Sequence, residues 1–291
     1  MYKVDNAIIL AAGTASRFAP LSYERPKALM EVRGEILLER QIRQLRQAGI
    51  EDIYIVVGYK KERFAYLADK YNVTLIDNDA YLYRNNHSSI YSAREVLGNS
   101  YLCSSDNYFA QNPFRAGEEE AYYAAVYSPG ETGEWCLTTD SDGYITDVQI
   151  GGRGCWYMLG HTFWTKDFSR DFIRLLTRIY DLPETRDLLW EGIYMRHLDL
   201  LRMKIKKYPA NYIFEFDTLD ELRAFDPTYV NNTRSQILRK IAGKLSVSEA
   251  SIQNIRAEKK DDNSAAGFSF DIAGACYHYE YNSGILRKAG D

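Results

Sequence analysis

A loop near the N-terminus carries residue types that suit phosphate binding. The apolar run from Ala7 to Leu10 predicts a short buried β-strand, and small residues follow it. Small side chains let backbone N–H groups approach phosphate oxygens, and Arg17 and Lys27 add cations further along the chain. A surface loop rich in small residues is the simpler alternative, but strand, loop and cations together favour a triphosphate site. The loop residues predicted to bind the nucleotide are Leu10, Ala11, Ala12, Gly13, Thr14 and Ala15.

Carboxylates at two further places in the chain could take part in catalysis or metal binding. Asp106 follows the predicted strand from Ser100 to Cys103, and a carboxylate at a strand end can hold Mg²⁺ against a triphosphate. A turn formed by Asp106 and Asn107 is the structural alternative. Glu215 and Asp217 are two residues apart in a predicted strand, so both carboxylates are expected on one face of it.

Amides and hydroxyls stand where a helix is predicted to open near Ser88. Asn86 and Ser89 could cap this helix or read the edge of a nucleotide base, and the sequence leaves both roles open. Ser105 directly precedes Asp106 and is the third polar candidate for nucleotide binding.

Alternating strands and helices must position these residues. Up to about residue 103, apolar runs of strand length alternate with helical periodicity, which predicts an α/β fold with a mostly parallel sheet. Ligands bind beyond the carboxyl ends of such strands, where Gly13 and Asp106 stand. Four shorter runs between residues 122 and 163 predict antiparallel insertions, and a helix is expected from Arg186 to Leu198.

A domain boundary is predicted near residue 227. Residues 1–226 would form the catalytic domain, and residues 227–291 a helical segment and a β-hairpin of unknown role. A helix is expected from Ser235 to Leu245 and a second one near Ser248. Aromatic residues alternate on both sides of Ala273 and Gly274, which predicts the hairpin.

Composition excludes several classes of partner. The formal net charge of -4 provides no general basic field, which argues against nucleic acid. No apolar run approaches the roughly 18 residues of a membrane span, so we expect a cytoplasmic protein without membrane insertion. The cysteines lack a C-x-x-C pair, which predicts free, buried thiols. They are Cys103, Cys136, Cys155 and Cys276.

The segments Leu10 to Leu21 and Pro26 to Leu29 resemble the L-A-A-G-x-G-S-R-x-x-P-L and P-K signature of the sugar-phosphate and alcohol-phosphate nucleotidyltransferases. The matching residues include Ser16, Arg17, Pro20 and Lys27. Ala15 departs from the pattern because the family has its second glycine there. The resemblance implies a Rossmann-like fold, catalytic roles for Arg17 and Lys27, and a Mg²⁺ cofactor held by Asp106 together with Asp217.

Motifs further along resemble the CTP:phosphocholine cytidylyltransferase branch of this family more than the sugar branch. They are the segment Asn85 to Tyr91, the run Ser105-Asp106-Asn107-Tyr108 and the pair Glu134-Trp135. The implied acceptor carries a quaternary ammonium, which aromatic faces and a carboxylate hold. For each single aromatic residue, core packing is an equal alternative. The residues expected to bind the acceptor are Trp135, Asp187, Trp190, Tyr194 and Glu215.

The resemblance implies attack by a phosphate oxygen of phosphocholine on the α-phosphorus of CTP, with release of pyrophosphate. A sugar 1-phosphate, an inositol phosphate or an aminoalkyl phosphonate would use the same loop, and a non-catalytic nucleotide-binding or scaffold protein is the alternative outside catalysis. The tail from Phe268 to Gly284 is similar to the opening hairpin of choline-kinase-like phosphotransferases. A hairpin that docks or forms a homodimer is the alternative there.

Overall fold

The structure, a computed structural model, describes residues 1–260 and 264–290. These residues divide into two compact units. The first contains Met1–Gly13 and Leu37–Glu215, and the second contains Thr14–Ile36 and the residues from Phe216 onward. This division differs from a single boundary near residue 227, because contacts between segments distant in sequence group Thr14–Ile36 with the C-terminal region.

The described residues contain 17 strands and eight helices. The strands are β1 Tyr2–Lys3, β2 Asn6–Ala11, β3 Glu31–Val32, β4 Glu35–Ile36, β5 Ile53–Val57, β6 Thr74–Asp77, β7 Ser100–Ser104, β8 Tyr108–Phe109, β9 Gly117–Glu118, β10 Tyr122–Thr139, β11 Ile145–Trp164, β12 Lys204–Tyr208, β13 Ile213–Phe214, β14 Gln253–Lys259, β15 Ala265–Ile272, β16 Ala275–Glu280 and β17 Leu286–Lys288. The helices are α1 Leu21–Glu24, α2 Leu37–Gln47, α3 Ala65–Tyr71, α4 His87–Ser92, α5 Lys166–Ile179, α6 Trp190–Met195, α7 Leu219–Phe225 and α8 Gln236–Leu245.

A seven-stranded sheet forms the centre of the first unit, in the order β12-β10-β11-β7-β2-β5-β6. Strands β7, β2, β5 and β6 run parallel to one another, and β10 runs parallel to β12. Strand β11 is antiparallel to both of its neighbours. The predicted α/β class with a mixed, mostly parallel sheet is therefore confirmed.

Strand β2 ends at the loop predicted to bind phosphate, and its side chains are buried. Its Ala7, Ile8 and Ile9 have no exposed surface, as expected for a strand covered on both faces of a parallel sheet. Helix α2 is amphipathic, and its Leu38 and Ile42 are fully buried. Each such aliphatic side chain contributes about 1.5–3 kcal/mol on burial, so the end of β2 is a rigid support for the loop.

The second half of the first unit consists of one long hairpin instead of the four short strands predicted. Strands β10 and β11 contain 18 and 20 residues and pair along most of their lengths. Register shifts interrupt the pairing, one of them between Ser128 and Glu131. Such irregularities bend a strand and break its alternation, which explains why the sequence pattern divides each strand in two.

Three further predictions of local structure were wrong. Helix α6 is confined to Trp190–Met195, because Leu189 before it is extended. The predicted strand through Glu215 and Asp217 ends at Phe214, so these carboxylates do not share a strand face. The helix expected near Ser248 is a single 3₁₀ turn that leads into β14.

The prediction of free thiols was also wrong for two cysteines. Cys136 on β10 and Cys155 on β11 form a disulfide. The irregular antiparallel pairing brings residues 19 positions apart to a Cα–Cα distance of 5.8 Å, which spacing along the chain does not reveal. Cys103 is free and buried, and Cys276 is free and partly exposed.

The second unit has an antiparallel sheet in the order β14-β15-β16-β17. Strands β15 and β16 form the predicted hairpin around Ala273 and Gly274. Helix α8 begins after Ser235, whose hydroxyl accepts a hydrogen bond from the Leu238 N–H. No helix within residues 1–260 and 264–290 is long and apolar enough to cross a membrane.

Candidate active site

The start of the loop is closely packed against a neighbouring connection in the first unit. The Ala12 carbonyl accepts a hydrogen bond from the Tyr59 N–H at 3.0 Å. A Cβ at Gly58 would lie 2.8 Å from the Tyr81 ring and 3.0 Å from the Ala12 oxygen, so this approach requires glycine. A Cβ at Gly13 would meet no atom within 4 Å, so the space beside Gly13 is open.

Ala15, where the family has glycine, adopts a left-handed backbone with φ 46° and ψ 48°. An L-residue pays about 1–2 kcal/mol for this conformation, whereas glycine does not. The Ala15 carbonyl accepts a hydrogen bond from the Phe18 N–H at 2.9 Å, which closes the turn that contains Arg17. The loop therefore keeps the turn expected of glycine at a local cost.

Both predicted catalytic cations contact Asp217 in the second unit, and we call Arg17, Lys27 and Asp217 the basic cluster. An Arg17 guanidinium nitrogen lies 2.9 Å from one carboxylate oxygen, and Lys27 Nζ lies 3.7 Å from the other. The Arg17 side chain is 75% exposed, whereas that of Lys27 is 6% exposed. A buried ammonium needs a counter-charge, which Asp217 supplies.

Asp106 stands in a turn after β7 that several hydrogen bonds hold in the first unit. The Ser105 N–H donates to the Leu10 carbonyl at 3.2 Å. The Gln41 amide donates to the carbonyls of Ser104 and Asn107, each at 2.9 Å. These hydrogen bonds fix the backbone of the turn. The Asp106 side chain is half-buried and therefore keeps some exposure to solvent.

Asn86 and Ser89 have partners that the sequence did not indicate. The Asn86 side chain makes no capping bond to α4; its oxygen accepts the Trp190 N–H at 2.7 Å and its nitrogen donates to the Glu191 carboxylate at 3.2 Å. The Ser89 hydroxyl accepts a hydrogen bond from Asn78 at 3.0 Å. Asn86 thus orients the start of α6, and recognition of the base by Asn86 or Ser89 stays a prediction.

Glu191 is the most perturbed carboxylate of the first unit. Burial raises its pKa to about 7, against hydrogen bonds that lower it. One carboxylate oxygen accepts from the Tyr123 hydroxyl at 3.2 Å and the other from Asn86. Glu191 keeps some exposure, so a ligand cation can reach a carboxylate that is otherwise poorly solvated.

Further carboxylates act on the same aromatic residues, and we call Tyr123, Glu134, Tyr157, Glu191 and Glu215 the acidic aromatic cluster. Burial raises the pKa of the Tyr123 hydroxyl far above its usual value, and the charges of Glu191 and Glu215 add to this. Burial also raises the pKa of Tyr157, with contributions from Glu134 and Glu215. Aromatic faces beside carboxylates are the surroundings that bind an organic cation.

The residues predicted to bind the acceptor are distributed differently from the expectation. Trp190 is 3% exposed, stacks on Tyr123 with a centroid distance of 5.6 Å and belongs to the hydrophobic core. Tyr194 is fully buried in the same core. Asp187 is exposed and precedes α6, so it does not share a helical face with Trp190. For Trp190 and Tyr194 the structure supports the packing role.

Trp135 and Glu215 remain partly accessible in the first unit. Trp135 is half-buried and packs against the edge of the hydrophobic core. Glu215 is exposed and accepts a hydrogen bond from the buried Asn107 amide at 3.2 Å. Either side chain can therefore contact a ligand without losing its contacts within the protein.

No group of three or more His, Cys, Asp or Glu side chains that could hold a metal ion occurs among the described residues. The two predicted Mg²⁺ ligands belong to different units, Asp106 to the first and Asp217 to the second. Mg²⁺ commonly uses one or two protein carboxylates and completes its coordination with substrate phosphates and water. A carboxylate at each position is compatible with that chemistry.

Comparison with known proteins identifies the family. The MobA-like NTP transferase domain matches residues 7–111. The choline-phosphate cytidylyltransferase of Streptococcus pneumoniae is 35% identical over 225 residues, which cover 77% of this chain and 98% of that protein. The 2-aminoethylphosphonate cytidylyltransferase of Lancefieldella rimae is 36% identical over 239 residues, covering 79% and 95%. The chain belongs to the cytidylyltransferase family of nucleotidyltransferases.

A solved structure agrees with this assignment. The CTP:phosphocholine cytidylyltransferase of Streptococcus pneumoniae has a TM-score of 0.74 and 35% identity to this cytidylyltransferase, covering 78% of this chain and 99% of that one. The Rossmann-like nucleotidyltransferase fold implied by the signature is thereby confirmed.

Sequence reasoning missed the residues at the centre of the acidic aromatic cluster of this cytidylyltransferase. Glu191 follows Trp190 directly, and nothing in the sequence distinguishes it from other exposed helical glutamates. Tyr123 is one of 24 tyrosines. Only the pairing of α6 with Asn86 and of Tyr123 with Glu191 makes them visible.

Proposed function

We propose that this cytidylyltransferase transfers CMP from CTP to phosphocholine and forms CDP-choline and pyrophosphate. A phosphate oxygen of phosphocholine forms a bond to the α-phosphorus, and the bond from that phosphorus to the oxygen bridging to the β-phosphate breaks. The electron pair of the broken bond stays on the bridging oxygen, which leaves as part of pyrophosphate. The similarity to choline-phosphate cytidylyltransferases over most of the chain supports this acceptor, and the cytoplasm as its location belongs to the same proposal.

The observation that carries the acceptor class is the surroundings of Glu191. Its two oxygens already accept hydrogen bonds from Tyr123 and Asn86. A quaternary ammonium donates no N–H bond and needs only negative charge and polarisable faces. Glu134 and Glu215 add negative charge near Tyr157, so the cluster attracts a cationic head group and offers no such attraction to an uncharged sugar ring.

Alignment and charge neutralisation provide the catalysis in this proposal. The attacking phosphate is already an anion and needs no general base. Arg17 would hold the leaving β- and γ-phosphates, since its exposed planar fork matches phosphate oxygens. Lys27, a buried point charge, would stabilise charge on the α-phosphate or the attacking phosphate.

We also propose that the reaction uses Mg²⁺, with Asp106 and Asp217 each serving as a carboxylate ligand. Bound Mg²⁺ would neutralise charge on the triphosphate. We expect Asp106→Asn to lower kcat about 10³-fold or more while far-UV circular dichroism stays unchanged, because Asp106 carries no core packing. Asp181→Asn is the matched control, because it makes the same substitution at an exposed aspartate. Unchanged turnover by the Asp106 variant would remove it from the metal site.

A second acceptor deserves a direct comparison, because one relative at 36% identity is a 2-aminoethylphosphonate cytidylyltransferase. Its acceptor also carries a cationic group, but a primary ammonium donates hydrogen bonds. The acidic aromatic cluster provides charge to both, and its buried, aromatic surroundings favour the quaternary ammonium, since a primary ammonium loses its hydrogen bonds to water there.

The test is a panel of CTP, UTP, GTP and ATP with phosphocholine, 2-aminoethylphosphonate, glucose 1-phosphate and inositol phosphate, followed by pyrophosphate release. Phosphorus NMR of the product identifies the new diphosphate. We expect release with CTP and phosphocholine together. Binding of CTP with no release for any acceptor would support the non-catalytic alternative.

A further inference from the structure

Two tyrosines stack within the second unit, one beside the signature loop and one in the C-terminal sheet. The rings of Tyr23 and Tyr281 are 3.7 Å apart at an interplanar angle of 4°. Tyr23 lies on α1, directly after the loop that contains Arg17, and Tyr281 directly follows β16. Both residues are half-buried. An aromatic stack therefore joins the loop segment to a tyrosine beside the C-terminal sheet, 258 residues further along the chain.

Other contacts join the same two segments. Strand β14 packs against the 3₁₀ turn Ser16–Phe18 that contains Arg17. Glu24, the last residue of α1, accepts hydrogen bonds from the N–H groups of Gln236 and Ile237 at the start of α8, at 2.8 and 3.2 Å. A carboxylate at a helix N-terminus is electrostatically favourable. The C-terminal region thus contacts the loop segment at its 3₁₀ turn and after it.

We propose, on the basis of the function proposed above, that the C-terminal sheet positions the nucleotide-binding loop and that Tyr281 is a positioning residue for CTP. The loop needs support, because Ala15 is strained and the Arg17 side chain is 75% exposed. A loop held in its binding conformation before the ligand arrives loses less entropy on binding. The stack on Tyr23 provides this support without any contact between Tyr281 and the nucleotide.

The test compares two tyrosines of the same sheet in the full-length chain. Tyr277 is also half-buried, but its ring stacks on Phe270 inside the sheet at 5.6 Å. We expect Tyr281→Ala to raise KM for CTP about threefold to tenfold, the range for loss of an aromatic pair, with kcat and KM for the acceptor little changed. Tyr277→Ala should leave KM for CTP unchanged, and Tyr281→Phe should restore it because the ring is retained.

Calorimetry with CTP alone gives a second readout that does not depend on the acceptor. The same threefold to tenfold loss of affinity is expected for Tyr281→Ala and for Tyr23→Ala, and the double variant should be no worse than either single one. Thermal melts show whether both alanine variants of the sheet remain folded. Equal CTP affinities for Tyr281→Ala and Tyr277→Ala, or additive losses in the double variant, would overturn the proposal.

Discussion

The basic cluster and the acidic aromatic cluster suit ligand groups of opposite charge. In the basic cluster, Asp217 neutralises a buried lysine and an exposed arginine, groups suited to a polyanion. In the acidic aromatic cluster, burial leaves Glu191 with a pKa of about 7, a group suited to a cation. The two cations of the basic cluster belong to the segments that resemble the family signature. The residues of the acidic aromatic cluster come from separate elements. Variants that affect one substrate and spare the other can separate the two.

Among the variants that separate the two clusters, the largest effect is expected from Lys27→Ala. Removal of a preorganised cation near the reacting phosphates should lower kcat/KM about 10²–10³-fold. Asp217 would keep its contact with Arg17, so the variant should remain folded. Stopped-flow or steady-state pyrophosphate release measures the effect, and Lys240→Ala, an exposed lysine on α8, is the control. A Lys27 variant that works as well as this control would contradict the assigned role.

Glu191→Gln tests the other cluster. We expect KM for phosphocholine to rise about tenfold to a hundredfold, the value of a charged contact, and KM for CTP to stay within about twofold. Glu184→Gln is the matched control because Glu184 is exposed in the same unit. A similar increase in both KM values would show that Glu191 supports packing instead of the acceptor.

The pKa of Glu191 predicts a pH dependence. Because burial raises this pKa to about 7, the carboxyl is mostly neutral at lower pH and becomes ionised as pH rises. Only the ionised form attracts a cation, so KM for phosphocholine should fall about tenfold between about pH 6 and about pH 8. The Glu191→Gln variant corrects for titration of phosphocholine itself. If wild type and this variant show the same profile, Glu191 does not titrate in the acceptor site.

Ala15→Gly should have the smallest effect. Relief of the left-handed backbone offsets the greater flexibility of glycine in the unfolded chain, so we expect about 0.5–1 kcal/mol of added stability. Activity with CTP should improve by no more than about threefold. Ala273→Gly, with φ 49° in the hairpin turn, should stabilise without any kinetic change. Equal kinetics for both variants would show that the strain at Ala15 does not limit turnover.

The sequence predicted the parts of the molecule that depend on local pattern. The buried strand β2, the α/β alternation and the hairpin around Ala273 follow from periodicity and turn residues, and all three are confirmed. The predicted cations Arg17 and Lys27 lie together because they belong to one compact segment.

Features that depend on distant pairing were not predicted. Four short strands were predicted where the structure has two long ones, because the irregular pairing of β10 with β11 interrupts the sequence pattern. Trp190 was predicted to bind the acceptor because aromatic faces hold a quaternary ammonium, but its ring stacks on Tyr123. Glu191 requires Asn86 and Tyr123, which come from other elements, before its pKa is perturbed. Periodicity carries no information on such contacts.

The central claim is that this cytidylyltransferase uses phosphocholine, whose head group is a quaternary ammonium, with CTP. The most direct measurement is the ratio of kcat/KM for phosphocholine to that for 2-aminoethylphosphonate, taken with the same preparation and saturating CTP. We predict a preference for phosphocholine of about tenfold or more, because the aromatic faces beside the buried Glu191 bind a quaternary ammonium, whereas a primary ammonium loses its hydrogen bonds to water there. Equal or better use of 2-aminoethylphosphonate would contradict it.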